Sequence, residues 1–194
     1  MILENLKNYH VLLASKSPRR RELLKELRIP FNSICLNGID ESYPEKLPRI
    51  DVPQYLADRK ADAYLSVLGD NDLLITADTL VIKDDRILGK PQSRSEAIES
   101  LMFLSGGEHL VVTGVAIVTK DRRVSFSVTT RVKFAAITEG EARYYVDTFH
   151  PMDKAGAYGI QEWIGCIAVE SIYGSFYNVM GLPIHKLYAE LKAF

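Results

Sequence analysis

Ser15-Lys16-Ser17-Pro18-Arg19-Arg20-Arg21 places two hydroxyls and three consecutive arginines where an apolar tetrad, Val11 to Ala14, gives way to a helix opened by Ser-Pro. A helix N-terminus presents free N–H groups and a partial positive charge, so an anion docks there readily. Arginines in a first turn oppose the helix dipole, and an anionic ligand held by Ser15, Ser17 and Arg20 would resolve that conflict with forked, charge-assisted hydrogen bonds. The plainer alternative is a Ser-Pro cap followed by solvated arginines. Asp78 is the second candidate. It interrupts the β-prone run Leu73 to Ile82, where a carboxylate is disfavoured and costly to bury unless paired or metal-bound. A metal ligand or general base competes there with a turn residue, and a break in the strand at Asp78-Thr79 would favour the turn.

Lys60 lies four residues from both Leu56 and Tyr64, so it shares a helix face with apolar side chains; snorkelling is the competing explanation. Lys90 sits in the stiff turn Gly89-Lys90-Pro91 and decides nothing alone. The acidic pair Asp40-Glu41 could hold a hard cation together with Asp78, because Mg²⁺ takes one or two carboxylates plus phosphate oxygens; a solvated acidic loop is the alternative. Asp153 to Gln161 (DKAGAYGIQ) joins charges, small residues and an amide able to donate and accept, which suits recognition of a base edge but is a weak signal in isolation. His10, His109, His150 and His185 lack i+2 or i+4 partners, which argues against zinc. Gly-x-Ser-x-Gly, Walker A and Gly-x-Gly-x-x-Gly patterns do not occur.

These residues need elements to position them. The sequence predicts a buried strand over Val11 to Ala14 and a helix from Ser17-Pro18 to about Arg28, with Leu23, Leu24 and Leu27 as its buried stripe. An extended stretch at Phe31 to Leu36, a loop over Asn37 to Arg49 and a helix from about Pro53 to Leu68 follow. Leu73 to Ile82 reads as a strand turning back at Lys83-Asp84-Asp85. Ser93 and Glu96, then Thr138 and Glu141, form capping boxes for helices ending near Gly106-Gly107 and Thr148. Between them lie strands over Leu110 to Thr119, with Gly114 a bulge, and Val124 to Ile137. A Gly-rich loop near Pro151 to Ile160, a strand through Gly165 to Glu170, a turn at Tyr173-Gly174-Ser175 and a helix from Pro183 complete the chain. Strands and helices mingle without strict βαβ alternation, so the expected fold is α/β with a mixed, partly antiparallel sheet flanked by helices. No linker or repeat marks a boundary, and residues 1–194 are expected to form a single domain.

The chain carries 24 Lys and Arg against 25 Asp and Glu, a net charge of −1. That balance argues against a nucleic-acid polymer or an anionic membrane as partner. With 47% hydrophobic residues, 194 residues can bury roughly 70% of their unfolded surface in a folded core. Cys35 and Cys166 sit in apolar stretches and are expected to be buried, reduced thiols. The apolar run near the N-terminus is too short for a signal peptide, and none approaches a membrane span, so the expected compartment is the cytoplasm. A symmetric homodimer is the default assembly for a globular protein of this size.

Taken in order, Leu13-Ala14-Ser15-Lys16-Ser17-Pro18-Arg19-Arg20, Ala77-Asp78-Thr79, Gly89-Lys90-Pro91, Asp153 to Gln161, and Gly174-Ser175 through Asn178-Val179-Met180-Gly181-Leu182-Pro183 resemble the Maf family of nucleoside triphosphate pyrophosphatases. The resemblance implies an elongated, two-lobed fold of the inosine-triphosphate-pyrophosphatase type with a central cleft. It implies cleavage of a nucleoside triphosphate between its α and β phosphates, with a divalent metal cation (Mg²⁺ or Mn²⁺), as a house-cleaning activity that keeps unwanted nucleotides from incorporation. By the same resemblance Asp78 is the general base, and Ser17, Arg20, Lys60 and Lys90 belong to the phosphate site. Glu41 becomes the second acidic position beside Asp78 at the metal, while Arg19, Thr79 and Gln161 select the nucleotide. Gln161 looks like the subfamily acting on dTTP and UTP. Glu162-Trp163 and the triple Arg19-Arg20-Arg21 depart from the family pattern. Two other readings stay open: a pyrophosphatase for other or modified bases such as 7-methyl-GTP, and a nucleotide-binding regulator of cell division without turnover.

Overall fold

Alternating and β-branched residues build the strands, and local caps start the helices, in the order the sequence predicts with a few exceptions. The computed structural model describes residues 3–194; Met1 and Ile2, at the head of the N-terminal stretch, lie outside the described residues. The elements are β1 (His10–Ala14), α1 (Pro18–Glu26), β2 (Asn32–Ile34), α2 (Val52–Tyr64), β3 (Asp72–Lys83), β4 (Arg86–Leu88), α3 (Arg94–Leu104), β5 (Glu108–Val118), β6 (Arg123–Phe134), α4 (Glu139–Phe149), α5 (Trp163–Ala168), β7 (Val169–Tyr173), α6 (Phe176–Met180) and α7 (Ile184–Ala193). The strands form one sheet in the order β2-β1-β3-β5-β6-β7, with β4 paired to β3. It is mixed as expected. β1 runs parallel to β2 and β3, whereas β4 is antiparallel to β3 and β7 to β6.

Contacts gather the chain into two compact units, each assembled from separate segments. The first holds residues 3–78, 113–128 and 181–194 among those described, and the second residues 79–112 and 129–180. In the first, Ala14, Ala61, Tyr64, Leu68, Leu74, Ala116 and Val118 share one apolar cluster. Gly114, expected as a bulge, answers a packing need: a Cβ there would stand 2.4 Å from the backbone N and Cα of Gln54. Only glycine lets the first turn of α2 lie directly on β5. In the second unit α3 and α4 share an apolar cluster with parts of β5 and β6, including Leu101, Leu104, Val132, Phe134, Ala142 and Tyr145.

The capping chemistry is largely as the sequence implies. Ser17 caps α1, its Oγ accepting from Arg20 N–H, with Pro18 at the first position. Thr138 and Glu141 form a reciprocal capping box on α4. Ser93 caps α3, but Glu96 reaches back to Gln92 N–H at 2.8 Å rather than to Ser93. Asp84 and Asp85 both take positive φ, the conformation a tight turn between β3 and β4 requires.

Three expectations need correction. Gly165 to Glu170 is not a strand: residues Trp163–Ala168 are helical, and β7 begins only at Val169. The four-residue spacing of buried Ile164 and Ala168 accounts for the helix, a period the short apolar run GCIAV conceals. Cys35 and Cys166 are exposed free thiols, not buried ones. Cys166 lies between Ile164 and Ala168 in sequence, which on a helix puts it on the opposite side from both. Leu27 caps the C-terminus of α1 and is half-buried, so the stripe reduces to Leu23 and Leu24. No helix among the described residues is long and apolar enough to cross a membrane.

Candidate active site

Asp78 lies within β3, which continues unbroken through Thr79 to Lys83, so the strand position is real. Burial along β3 is complete from Leu73 to Ala77 and relaxes at Asp78, Thr79 and Leu80, which opens the strand at its polar residues. The carboxylate is partnered. Lys60 Nζ, from α2, donates to Asp78 Oδ1 at 2.6 Å. Its helical face is the one the sequence indicates, with Leu56 and Tyr64 buried on either side of it. The same ammonium lies 2.9 Å from Glu41 Oε1, so one cation joins two carboxylates that are 37 residues apart in the chain. Lys60 and Asp78 side chains are 16% and 14% exposed, against 61% for Glu41, so the Asp78 end of this bridge is the drier one.

Asp40 does not join it. Its carboxylate accepts from Ser42 N–H and Oγ and from Arg59 Nη2. These bonds, the Ser42 backbone N–H first, hold its pKa below the ordinary carboxylate value. The expected convergence of the acidic loop on Asp78 therefore rests on Glu41 alone.

Arg20 reaches the same strand from α1. Its Nη1 donates to Ala77 O at 2.8 Å and its Nε to Gly181 O at 2.8 Å. Two donors of the guanidinium thus tie α1 to the residue before Asp78 and to the segment leading into α7. Burial pulls the Arg20 pKa below its ordinary value, and the charge of Asp78 opposes that pull. Ser15 and Ser17 are used locally: Ser15 Oγ accepts from Ser17 N–H at 3.1 Å and Ser17 Oγ from Arg20 N–H at 3.4 Å. Each hydroxyl accepts in these bonds, so each retains its own proton to donate.

The first unit thereby brings together Ser15, Ser17, Arg20, Glu41, Lys60 and Asp78, with Arg19 beside Arg20 on α1. Thr79, Lys90 and Gln161 belong to the second unit. Lys90 is exposed in its turn, which is tied to the Gly-rich segment by Gly156 N–H donating to Gly89 O at 3.0 Å. Gly156 has φ +67° and no room for a side chain, since a Cβ would meet Val81 at 2.9 Å. Gln161 is exposed on a turn between buried Ile160 and α5.

Among the described residues no group of three or more His, Cys, Asp and Glu side chains gathers as a metal site. The donor set at Lys60 is nonetheless the right kind for a hard cation completed by substrate. Two carboxylates already converge on a positive charge there, and Mg²⁺ commonly takes one or two carboxylates with phosphate oxygens and water.

One residue of the recognised motifs has a structural role. Asn178 is fully buried, its Nδ2 donating to Val111 O at 3.0 Å and Thr130 Oγ1 at 3.1 Å, which fastens α6 to β5 and β6. Sequence reasoning missed Arg20's carbonyl partners, and nothing local could have signalled contacts across 57 and 161 residues. It also missed Tyr145, which reads as an ordinary apolar position of α4, and left unassigned Lys154, a cation inside a glycine-rich segment.

Comparison with known proteins places the chain among relatives. The chain is 54% identical over 193 residues to the dTTP/UTP pyrophosphatase of Parabacteroides distasonis, covering all of both chains. It is 52% identical to the protein of the same name from Bacteroides thetaiotaomicron, over 98% of this chain and 99% of that one. Among solved structures, the Ham1 protein of Staphylococcus aureus matches 65% of this chain and 72% of its own at 16% identity and a TM-score of 0.47, a likeness too partial to argue from. Residues 10–194 match the family described as Maf-like protein. With that match over nearly its whole length, the chain belongs to the Maf family.

Proposed function

We propose that this protein hydrolyses dTTP and UTP to the nucleoside monophosphate and pyrophosphate, with residues 1–194 working as one domain. The observation that carries the reading is the Lys60 ammonium bonded to both Asp78 and Glu41, together with the name borne by relatives more than half identical over the full length. Lys60 holds Asp78 through Oδ1, so Oδ2 is the oxygen that orients a water and receives its proton as the water attacks the α-phosphorus. The bond from that phosphorus to the bridging oxygen breaks, and the pair of electrons leaves with pyrophosphate. Arg20, Lys60 and Lys90, with the hydroxyls of Ser15 and Ser17, hold the phosphate oxygens and stabilise the charge that gathers on the leaving group. A divalent cation, Mg²⁺ or Mn²⁺, held by Asp78 and Glu41 would supply further neutralisation of the phosphates. Arg19, Thr79 and Gln161 select the nucleotide. Gln161 suits thymine and uracil because its amide matches their carbonyl acceptor and ring N–H donor. The substrate is a free nucleotide, and the reaction needs neither a nucleic-acid polymer nor a membrane; a cytoplasmic homodimer is the assembly we infer.

The test is turnover across a panel of standard and modified nucleoside triphosphates with Mg²⁺ and with Mn²⁺, identifying monophosphate and pyrophosphate as products. Preference for dTTP and UTP is expected. Preference for 7-methyl-GTP or another base would reassign the substrate, and tight binding without pyrophosphate release would make the protein a regulator rather than an enzyme.

A further inference from the structure

The turn that presents Gln161 is fastened by a network around buried Tyr145 and Lys154 that the reaction itself does not use. Glu162 N–H donates to Gly159 O at 2.9 Å, closing a four-residue turn with Ile160 and Gln161 at its centre. Both ends of this turn meet one hydroxyl. Tyr145, on α4, is completely buried; its Oη accepts from Gly159 N–H at 3.0 Å and donates to Glu162 Oε2. The other carboxylate oxygen of Glu162 lies 3.2 Å from Lys154 Nζ, and that ammonium also bonds Asp153 Oδ1 at 2.8 Å. The Lys154 side chain is only 8% exposed, a burial that its two carboxylates make tolerable. A Cβ on Gly159 would stand 2.7 Å from Glu162 Cδ, so a larger residue there would displace that carboxylate.

A buried tyrosine needs one partner for its hydroxyl. This one has two, at the first and last residues of the same turn. That turn bears the one exposed amide assigned to the base. Cytosine presents the reverse of the thymine and uracil pattern, and a glutamine able to swing its amide would satisfy it equally well. A turn held at both ends fixes where the Gln161 backbone stands and so narrows the side-chain conformations that bring its amide to the base.

We propose that Tyr145 and Glu162 are positioning residues for nucleobase selection, holding the 159–162 turn so that Gln161 meets thymine and uracil in preference to cytosine. The inference rests on the reading of Gln161 as a base-selecting residue. The experiment measures kcat and KM for dTTP, UTP and dCTP on the full chain, for the unaltered protein and for Tyr145→Phe, Glu162→Ala, Gln161→Ala and the two double variants with Gln161→Ala. Gln161→Ala is expected to lower the dTTP-over-dCTP ratio of kcat/KM. Tyr145→Phe and Glu162→Ala should each lower it about tenfold, chiefly through KM, because misplacement of a substrate-orienting group is costly while Asp78 and Lys60 are untouched. Neither should lower the ratio further once Gln161 is alanine. If Gln161→Ala leaves the ratio unchanged, the base-reading role of Gln161 fails and the inference with it. If Gln161→Ala lowers the ratio but the other two leave it alone, or lower it equally in the alanine background, the base reading stands and the positioning role is overturned. Should Tyr145→Phe not fold, Glu162→Ala, a partly exposed side chain, carries the same comparison.

Discussion

At the scale of single residues, the proposed chemistry turns on how one ammonium divides itself. Lys60 is too dry to stand unpaired, and it meets Asp78 more closely than Glu41. Replacing Asp78 by Asn keeps the shape and an oxygen for Lys60 but removes the basic carboxylate. Turnover should drop by about 100- to 10,000-fold, the usual contribution of a general base, with nucleotide binding preserved. Pyrophosphate release and calorimetric titration of a nonhydrolysable dTTP analogue measure the two separately, and a near-normal rate would remove Asp78 from the catalytic role. At this scale the sequence was informative about residue type. An aspartate inside an apolar strand and a lysine on an apolar helix face each violate a local preference, and each has its partner in the other. It was not informative about which acidic neighbour takes part, because Asp40 and Glu41 are adjacent and only the path of their loop sends Glu41 to Lys60 and Asp40 to Arg59.

At the scale of elements, α2 must lie close enough to the sheet for Lys60 to reach β3. Three contacts set that distance. Thr76 Oγ1 on β3 donates to Ala57 O at 2.7 Å, Gln54 Nε2 donates to Val115 O on β5 at 3.2 Å, and Gly114 leaves the space that the Gln54 backbone fills. Gly114→Ala is therefore expected to destabilise the fold by about 1–3 kcal/mol, the ordinary cost of overpacking. Gly89→Ala, where nothing lies within 4 Å of an added Cβ, should change stability by no more than about 0.5 kcal/mol. Urea unfolding of the two variants beside the unaltered protein checks the contrast, and equal effects would refute the packing argument. The caps of α1 and α4 were legible because a side chain and an N–H three residues apart decide them. The helix at Trp163–Ala168 was not, since a short apolar run fits either period and its packing decides between them.

At the scale of the whole molecule, stability should respond to pH through a buried histidine. His109 on β5 is 2% exposed; its Nε2 is 2.8 Å from Tyr158 Oη, and its Nδ1 is buried without a hydrogen-bond partner among the described residues. Burial, aided by the charge of Lys83, pushes its pKa down from 6.5 to about 4. The unfolded chain then binds a proton below pH 6.5 that the folded protein refuses until about pH 4, so stability falls as pH is lowered through that window and the loss levels off below it. Its size is on the order of 3 kcal/mol. Asp40, Asp70, Glu141 and Asp147, whose hydrogen bonds lower their pKa values, add their own losses as pH falls through the ordinary carboxylate range and on below it. Denaturant unfolding between pH 7.5 and 4 should show the decline, flattened in His109→Gln; an unchanged slope in that variant would assign it elsewhere. The net charge of −1 conceals a segment, residues 15 to 28, with six basic and two acidic side chains, so a near-neutral protein still carries a locally positive field, the one the proposed phosphate site would use. The sequence by itself determined the mixed α/β class and most helix starts, and it singled out the candidate side chains, because these depend on hydrogen bonds and periodicities spanning a few residues. Tertiary structure alone decided that Arg20 would grip the carbonyls of Ala77 and Gly181, that Glu41 rather than Asp40 would share Lys60, that one tyrosine would hold both ends of the Gln161 turn, and that both cysteines would face solvent. Those outcomes depend on strand order and on which segments the sheet brings side by side, and no short-range pattern encodes them.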